Sequence, residues 1–429
     1  MRWDRYGQLK PQGSRSWRQA RDPGFARTCP FSPAAENEDA IAVRRFPQAR
    51  QAHPLLGRYE AAYIGHALEQ DFRRGGSSGG MVTWVAAELL RLGLVDGVAH
   101  VVSVSPRAGD GRLFEYCISR TAEALRGGAK SRYYPVELSS VIEEIRETPG
   151  RYAIVGIPCF IKAIQLRRRE DALLRRRIVF TLGLYCGHMK SARMVDSFAW
   201  QMGASPAQVE GIDFRVKDER RPANWYRAAL ALRNGRSREQ DWWHLVDGDW
   251  GAGFFQNPAC NFCDDVVAET ADIAFGDAWI EPYSADGKGT NVVLVRSTEM
   301  HRLIRDAMAE GRIHLDPVDA ATVIETQAAG FRQRREGLAY RLERARLRLS
   351  LAKRVMPGGD ALPLRRKLVY LTRTTISRWS HRMFWLARAL HSPGLYIGWA
   401  KLMTSIYQAL AYSRGTLGKI VDRLMRKDG

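Results

Sequence analysis

RYAIVGIPC, residues 151–159, and IVFTLGLYC, residues 178–186, are apolar runs of strand length that each end at a cysteine. Continuous apolar runs of this length suit strands buried on both faces, as in a parallel sheet. Helical patterns flank them, over about 140–147 before the first and about 191–202 after the second. Further out, a helix over about 81–92 and a strand over about 97–104 come upstream. Downstream, ADIAFGD (271–277) and TNVVLVRS (290–297) precede a helix over about 298–310. The alternation predicts a mixed α/β fold. If the two quoted runs are parallel neighbours, Cys159 and Cys186 share the carboxyl-end rim, where open α/β sheets place their sites. Residues 207–257 break the rhythm with the short alternating segments VEGIDFRV and YRAALALR and with Trp242, Trp243 and Trp250, and read as an antiparallel insertion. The expected organisation is an irregular N-terminal arm (1–50), two α/β parts (51–150 and 151–330) and a basic helical extension (331–429).

With 429 residues, 45% of them apolar and 26% charged, the chain has enough apolar surface for a large core, which excludes disorder and collagen-like repetition. The opening MRWDRYGQLK has no apolar run of signal-peptide type, which reads as a cytoplasmic protein. Six cysteines are too few and too unevenly placed for a disulfide framework, so metal or redox chemistry is their better use. The net charge of +20 is concentrated at one end: residues 331–429 carry 22 Lys and Arg against 5 Asp and Glu, while the first 330 carry 44 against 41. The extension therefore points to an anionic membrane surface, peripheral on the inner membrane, with an acidic partner or a nucleic acid as alternatives and the nucleic acid the weaker. In LAYRLERARLRLSLAKR (338–354), Leu338, Leu342, Ala345, Leu349 and Ala352 recur at helical spacing. The window 394–413 has the length of a membrane span but contains Lys401 and Gln408, which favours a helix lying in the interface.

RRGGSSGGMVTWVAAELL (73–90) sets four glycines and two serines before an amphipathic helix. Glycines let backbone N–H groups turn toward a ligand, and a helix amino end adds partial positive charge, so the loop suits a phosphate, with Arg73 and Arg74 adding charge. It is neither a dinucleotide fingerprint nor a P-loop, and it also suits a tight capping turn with Ser77 or Ser78 as N-cap. Cys260 and Cys263 form a CxxC pair. With Cys159 and Cys186 they could hold a four-iron four-sulfur cluster or a zinc ion, and one pair plus two strand-end singles fits the cluster better. Alternatively, the two single cysteines are small buried apolar residues. Asp277 ends a strand and the turn from Asp286 to Asn291 is Gly-rich, an arrangement that either binds a cofactor, moves a proton or caps a loop. His188 reads as a supporting or loop histidine. Asp247-Gly248-Asp249 reads as a weak match to the metal-binding DxD of glycosyltransferases.

Seven motifs in order, CPFS (29–32) with Asn37-Glu38-Asp39, SSGG (77–80), GIPC (156–159), CGHMKS (186–191), CNFCDD (260–265), ADIAFGDAW (271–279) and GTNVVLVRS (289–297), give a further reading. Over about residues 28–320 the chain resembles the coenzyme F-420 hydrogenase/dehydrogenase beta subunit family, which includes 7-hydroxymethyl chlorophyll a reductase. The resemblance implies an oxidoreductase with a flavin-binding iron–sulfur fold, in which FAD passes electrons between one 4Fe-4S cluster and an organic acceptor. It implies Cys159, Cys186, Cys260 and Cys263 as cluster ligands. It implies FAD phosphates near Gly76, Ser77, Ser78, Gly79 and Gly80 with Arg73, and a flavin neighbourhood holding Lys288, Asn291 and the catalytic candidate Asp277. Many relatives carry a Cys-rich ferredoxin-like segment before CPFS, whereas here Cys29 is the only cysteine among the first 116 residues. The electron donor is then expected to be a separate ferredoxin-like protein or a soluble reductant. A membrane-docked glycan-pathway transferase using Asp247 and Asp249, or a non-catalytic polysaccharide-assembly partner, are the alternative functions.

Overall fold

The computed structural model describes residues 1–69, 71–106, 111–345 and 354–425. The strands are β1 (Ala61–Ala67), β2 (Gly97–Ser103), β3 (Phe114–Ser119), β4 (Tyr152–Gly156), β5 (Ile178–Leu184), β6 (Val209–Val216), β7 (Arg227–Leu232), β8 (Ser237–Asp241), β9 (Ile273–Asp277), β10 (Asn291–Val295) and β11 (Ile313–Pro317). Helices α1 (Met81–Arg91), α2 (Ser139–Glu147), α3 (Pro158–Glu170), α4 (Arg193–Gln201) and α5 (Thr298–Ala309) connect and cover them. The chain continues with α6 (Ala328–Arg334), α7 (Glu336–Ala345), α8 (Leu364–Ala389), α9 (Pro393–Tyr412) and α10 (Gly415–Met425).

Eight strands form one mixed sheet in the order β11-β1-β10-β9-β5-β4-β2-β3. Its middle, β9, β5, β4 and β2, is parallel, and the strands toward both edges are antiparallel. The continuous apolar runs have their cause in burial on both faces. Along β4, Ala153 and Val155 pack with Trp84 and Leu89 of α1 and Ile304 of α5, while Tyr152 and Ile154 pack with Ile145 of α2 and Ile164 of α3. Asp272, just ahead of β9, pins the start of the parallel pair. It accepts from the Thr181 N–H (2.8 Å) and hydroxyl (2.6 Å) of β5 and pairs with Arg45 at 2.9 Å. The expected insertion is present as the three-stranded antiparallel sheet β6-β7-β8.

The N-terminal arm is less irregular than its composition suggests. Asn37 caps a helix over Glu38–Arg45, and that helix buries Ile41 and Ala42 while Glu38 pairs with Lys162 of α3 at 3.1 Å.

The basic extension differs from its reading as an appendage. Ile376, Phe384, Ala387, Tyr396, Ala400 and Tyr407 belong to the same core as Phe214, Trp242, Phe254 and Phe255. The Phe255 N–H donates to Ser380 Oγ at 2.9 Å, and the Tyr396 hydroxyl donates to buried Asp247 at 2.9 Å. Net charge counts residues without regard to facing, and here the arginines of α8, Arg373 apart, and Lys401 of α9 lie outside the inward aromatic stripe of the two helices. Among the described residues no helix is long and apolar enough to cross a membrane, and the window 394–413 instead buries Tyr396, Ala400, Tyr407, Ala409 and Leu410 against the body. The predicted helix through 338–354 is seen to Ala345, and its Leu349 and Ala352 lie outside the described residues.

Two outcomes follow from this packing. Tyr396→Phe leaves Asp247 short of a donor and lowers global stability by about 1–3 kcal/mol in a denaturant titration, where an exposed appendage would give no change. Burial pushes the His381 imidazole down to about 4. Its Nδ1 donates to the Ser377 carbonyl, so Nε2 accepts from Gln8 of the arm. The unfolded chain gains a proton near the ordinary histidine value and the folded one does not until about pH 4. The contribution of His381 is complete above about pH 6.5 and falls as pH drops toward 4, by up to ~1.4 kcal/mol per pH unit. Denaturation midpoints measured across that range, with His381→Gln as reference, report it.

Candidate active site

Because β9, β5 and β4 are parallel, their carboxyl ends share one rim. Cys159 sits in the first turn of α3, behind Pro158, and Cys186 lies two residues past the end of β5. The CxxC loop is held against the Cys186 segment by backbone bonds: Cys186 N–H to Val266 O (2.9 Å), Asn257 N–H to Met189 O (2.8 Å) and Met189 N–H to Cys260 Sγ (3.3 Å). Cys159 is within electrostatic reach of the other three thiols, and Cys186 of Cys260 and Cys263. Burial, then repulsion from Cys263, Cys186 and Cys260, pushes the Cys159 thiol well up. Cys186 is pushed up to about 12, chiefly by burial, with Arg334 opposing. For Arg334 itself, burial disfavours the charge and the attraction of the four cysteines outweighs it. Among the described residues no three His, Cys, Asp or Glu side chains come together closely enough to hold one metal ion as they stand. Cys117 lies apart, on β3 beside His100.

A cavity of about 900 Å³ opens on the same rim, walled by the Gly76–Met81 loop, Tyr133, Cys186, Trp250 and Asp277 and reaching Arg414 of the extension. The loop is a splice between α1 and the 286–291 turn. Gly80, not Ser77 or Ser78, is the N-cap residue of α1. It is left-handed (φ +81°), and a Cβ there would lie 2.4 Å from the Phe72 carbonyl. A Cβ on Gly79 would lie 2.7 Å from Gly65 O. Asn291 supplies the cap from across the sheet, accepting from Met81 N–H (3.1 Å) and donating to Gly276 O (2.9 Å). Ser78 donates to Thr290 O, and Ser77 accepts from Ser131 N–H. Gly76, Ser77, Ser78 and Gly80 border the cavity. The Arg73 guanidinium is instead engaged by Asp286 and Gly289 O, and the Lys288 side chain is exposed.

Asp277 is brought to the cavity with both carboxylate oxygens on Arg215, at 2.9 and 3.3 Å. Arg215 is buried, with Tyr226 and Trp279 rings 4.8 and 5.3 Å from its guanidinium carbon. Lys217, two residues on, donates to the carbonyls of Arg73, Ser78 and Lys288, binding both Gly-rich turns to the insertion. Burial, then Lys130 and Arg215, push its ammonium down to about 8. Sequence reading passed over Arg215 and Lys217. Their only signal was two cations at alternate positions where the strand VEGIDFRV ends. His188 is buried, stacked 4.4 Å from the Trp250 ring, and accepts at Nδ1 from Arg373. Asp247 accepts from Ser197 (2.6 Å), Gln201 (2.9 Å) and Tyr396 (2.9 Å), which makes it a tie between α4 and α9; the DxD metal role read from the sequence is corrected on that ground.

Two family models, one for the N-terminal and one for the C-terminal segment of the coenzyme F420 hydrogenase/dehydrogenase beta subunit, match residues 62–143 and 150–321, together more than half of the chain. The chain belongs to the coenzyme F420 hydrogenase/dehydrogenase beta subunit family. The family is one of oxidoreductase subunits. The chain is 21% identical to the coenzyme F420 hydrogenase subunit beta of Methanothermobacter thermautotrophicus over 282 residues, 62% of this chain and 87% of that one. Its fold is similar to a chain of the F420-reducing NiFe hydrogenase complex from Methanosarcina barkeri, with a TM-score of 0.52 at 16% identity over 70% of this chain and 98% of that chain. The family resemblance and the mixed α/β fold expected from the motifs are thus borne out. Both family segments end before α6, so the helical extension is an addition to the matched region.

Lys217→Met keeps the stem and removes the ammonium. Charged hydrogen bonds of this kind are each worth about 1.5–3 kcal/mol, so amide exchange across 76–80 and 287–290 should speed up about tenfold or more. Exchange at wild-type rates in both turns would show that Lys217 does not hold them.

Proposed function

We propose that the chain is an iron–sulfur flavoprotein oxidoreductase passing electrons between one four-iron four-sulfur cluster, FAD and an organic acceptor of the CH, CH2 or deazaflavin type. The observation that carries this reading is one continuous cavity that touches Cys186 and reaches the amino end of α1. A carrier bound in it would lie between a four-thiol centre and a loop suited to phosphate. Cys159, Cys186, Cys260 and Cys263 would hold the cluster. The donor set fits: a zinc ion needs four sulfurs about 3.8 Å apart at Zn–S of about 2.3 Å, whereas a cubane takes one thiolate on each of four separate irons. Arg334 stands beside these thiols with Nη1 buried and unpartnered, a place for negative charge.

FAD would set its phosphates near Gly76, Ser77, Ser78 and Gly80. There Val82 and Thr83, in the first turn of α1 where N–H groups have no intrahelical acceptor, border the cavity. When bound, the cluster carries single electrons and the flavin pairs them for hydride-like transfer. Asp277 acts through Arg215, which it orients toward the ligand, and Asn291 holds the helix end in place. Lys217, Arg73 and the Lys288 backbone keep the two Gly-rich turns together. Electrons would come from an external ferredoxin-like protein or a soluble reductant. In the same reading an anionic membrane surface would meet α10, whose Leu417, Ile420 and Leu424 are exposed beside Lys419 and Arg423.

Anaerobic absorption spectra before and after dithionite, with iron, zinc and flavin measured on the same full-length sample, test the proposal. The expected result is a broad band that bleaches, flavin, and about four irons per chain, as for one Cys-ligated cubane. Cys260→Ser should lose the iron and keep the far-UV circular dichroism. A colourless wild-type protein without iron or flavin, or full iron in Cys260→Ser, overturns the reading.

A further inference from the structure

Four cations stand close to the cysteine-bearing segments, Lys190, Arg334 and Arg373 buried and Arg341 half-buried, and three of them come from the helical extension. Arg334 of α6 donates to the carbonyls of Cys186 and Gly187. Arg341 of α7 donates to Asn261 O, inside the CxxC loop, at 2.9 Å and to Gln333 O at 2.9 Å. Arg373 of α8 donates to Gly251 O, to Gln256 Oε1 at 2.9 Å and to His188 Nδ1 at 3.4 Å. Lys190, in the matched part of the chain, donates to Phe254 O at 2.7 Å and lies 4.6 Å from the Trp250 ring centre. Every acceptor here is neutral. Among the described residues none of the four forms an ion pair with a carboxylate, although other arginines of the extension do: Arg335 and Arg354 with Glu269, Arg365 with Asp422, Arg366 with Glu336. Buried cations without an ion pair also occur elsewhere, at Arg168 and Arg296, but among the described residues of the extension Arg334 and Arg373 are the buried ones, and both lie on the cysteine side.

Burying unpaired cations is strongly unfavourable unless an opposite charge is at hand. Burial works against Arg341 and Arg373 alike, and Arg334 repels both. Protonated thiols carry no charge and do not relieve this. Thiolates fixed on a metal centre do, since metal binding removes their protons. Each electron added to such a centre makes it more negative and gains more from the surrounding cations.

We infer that the helical extension supplies positive charge, through Arg334, Arg341 and Arg373, that stabilises the reduced form of the four-cysteine centre and raises its reduction potential. This rests on the cluster assignment above and goes beyond it, because the family segments stop short of all three arginines.

The test is a redox titration of the anaerobically prepared full-length holoprotein, followed by electron paramagnetic resonance, for wild type, Arg341→Gln and Arg341→Lys. Glutamine keeps a donor for Asn261 O and removes the charge, while lysine restores the charge. At a fixed potential the reduced-to-oxidised ratio in Arg341→Gln should fall about tenfold, a shift of 59 mV for one electron, and Arg341→Lys should recover most of it. An unchanged midpoint in Arg341→Gln with iron retained overturns the role of the extension and leaves the cluster assignment standing. Absence of iron from wild type overturns both. Where Arg341→Gln does not load iron, Arg373→Gln, farther out behind Gln256 and His188, decides: a smaller fall in midpoint supports the inference, and a midpoint equal to wild type overturns it.

Discussion

The contact on which the site depends is Asp272 against Thr181. One carboxylate oxygen takes both the backbone N–H and the hydroxyl of Thr181, and the other meets Arg45. This fixes where β9 starts beside β5. A parallel pair started together also ends together, which sets Cys186, two residues past the end of β5, beside Asp277 at the end of β9. The same register runs on into β4. A slip of one residue along β5 would turn its side chains to opposite faces and carry Cys186 away from the CxxC loop. The group that sets the register is thus remote from the rim whose chemistry it positions.

A second layer of ties converts this rim into an enclosed site. Glu38 of the N-terminal arm pairs with Lys162 of α3, the helix whose first turn carries Cys159. Arg354, just past the undescribed stretch, meets Glu269, Asp264 and Asp39. Buried ion pairs contribute little net stability against apolar replacements. Their value here is directional, since each joins a segment distant in sequence to a fixed point near the cysteines. The arm and the extension are held at opposite ends of one charged network centred on the segment just after CxxC.

Much of this could be read from the sequence, and what could not has definite causes. Apolar runs such as RYAIVGIPC announce strands buried on both faces because water is excluded from both, and a cysteine at the end of such a run is placed by the strand itself. The glycines of the 76–80 loop are equally legible as a helix entrance. Their roles separate only in space, where Gly80 yields to the Phe72 carbonyl and Asn291 supplies the cap from 210 residues away. The extension was the least legible part. Its charge is a sum, whereas packing depends on facing: Phe384 faces inward on α8, whose other sides carry most of its arginines, and Tyr396 and Tyr407 face inward on α9, whose one cation is Lys401. Arg215 and Lys217 escaped notice because their partners lie on three other segments, so no spacing within β6 marks them.

The charge layout across the cavity carries a final consequence. On the cysteine side the buried cations have only neutral acceptors, whereas at the Asp277 end Arg215 has its own carboxylate and Lys217 three carbonyls. An anionic group entering the cavity therefore meets, at Arg215, a cation whose charge is already balanced, and its attraction is limited to the donors Arg215 has left, including an Nε that is buried without a partner. Beside the thiols, Arg334 and Arg373 hydrogen-bond only neutral acceptors. Compensated cations suit a ligand that binds and leaves, because neither state strands a charge. Uncompensated cations suit a centre that stays, since its loss would leave several buried like charges facing one another. The two ends of the cavity thus differ electrostatically, which is what the proposed function expects of an exchangeable acceptor at one end and a resident electron carrier at the other.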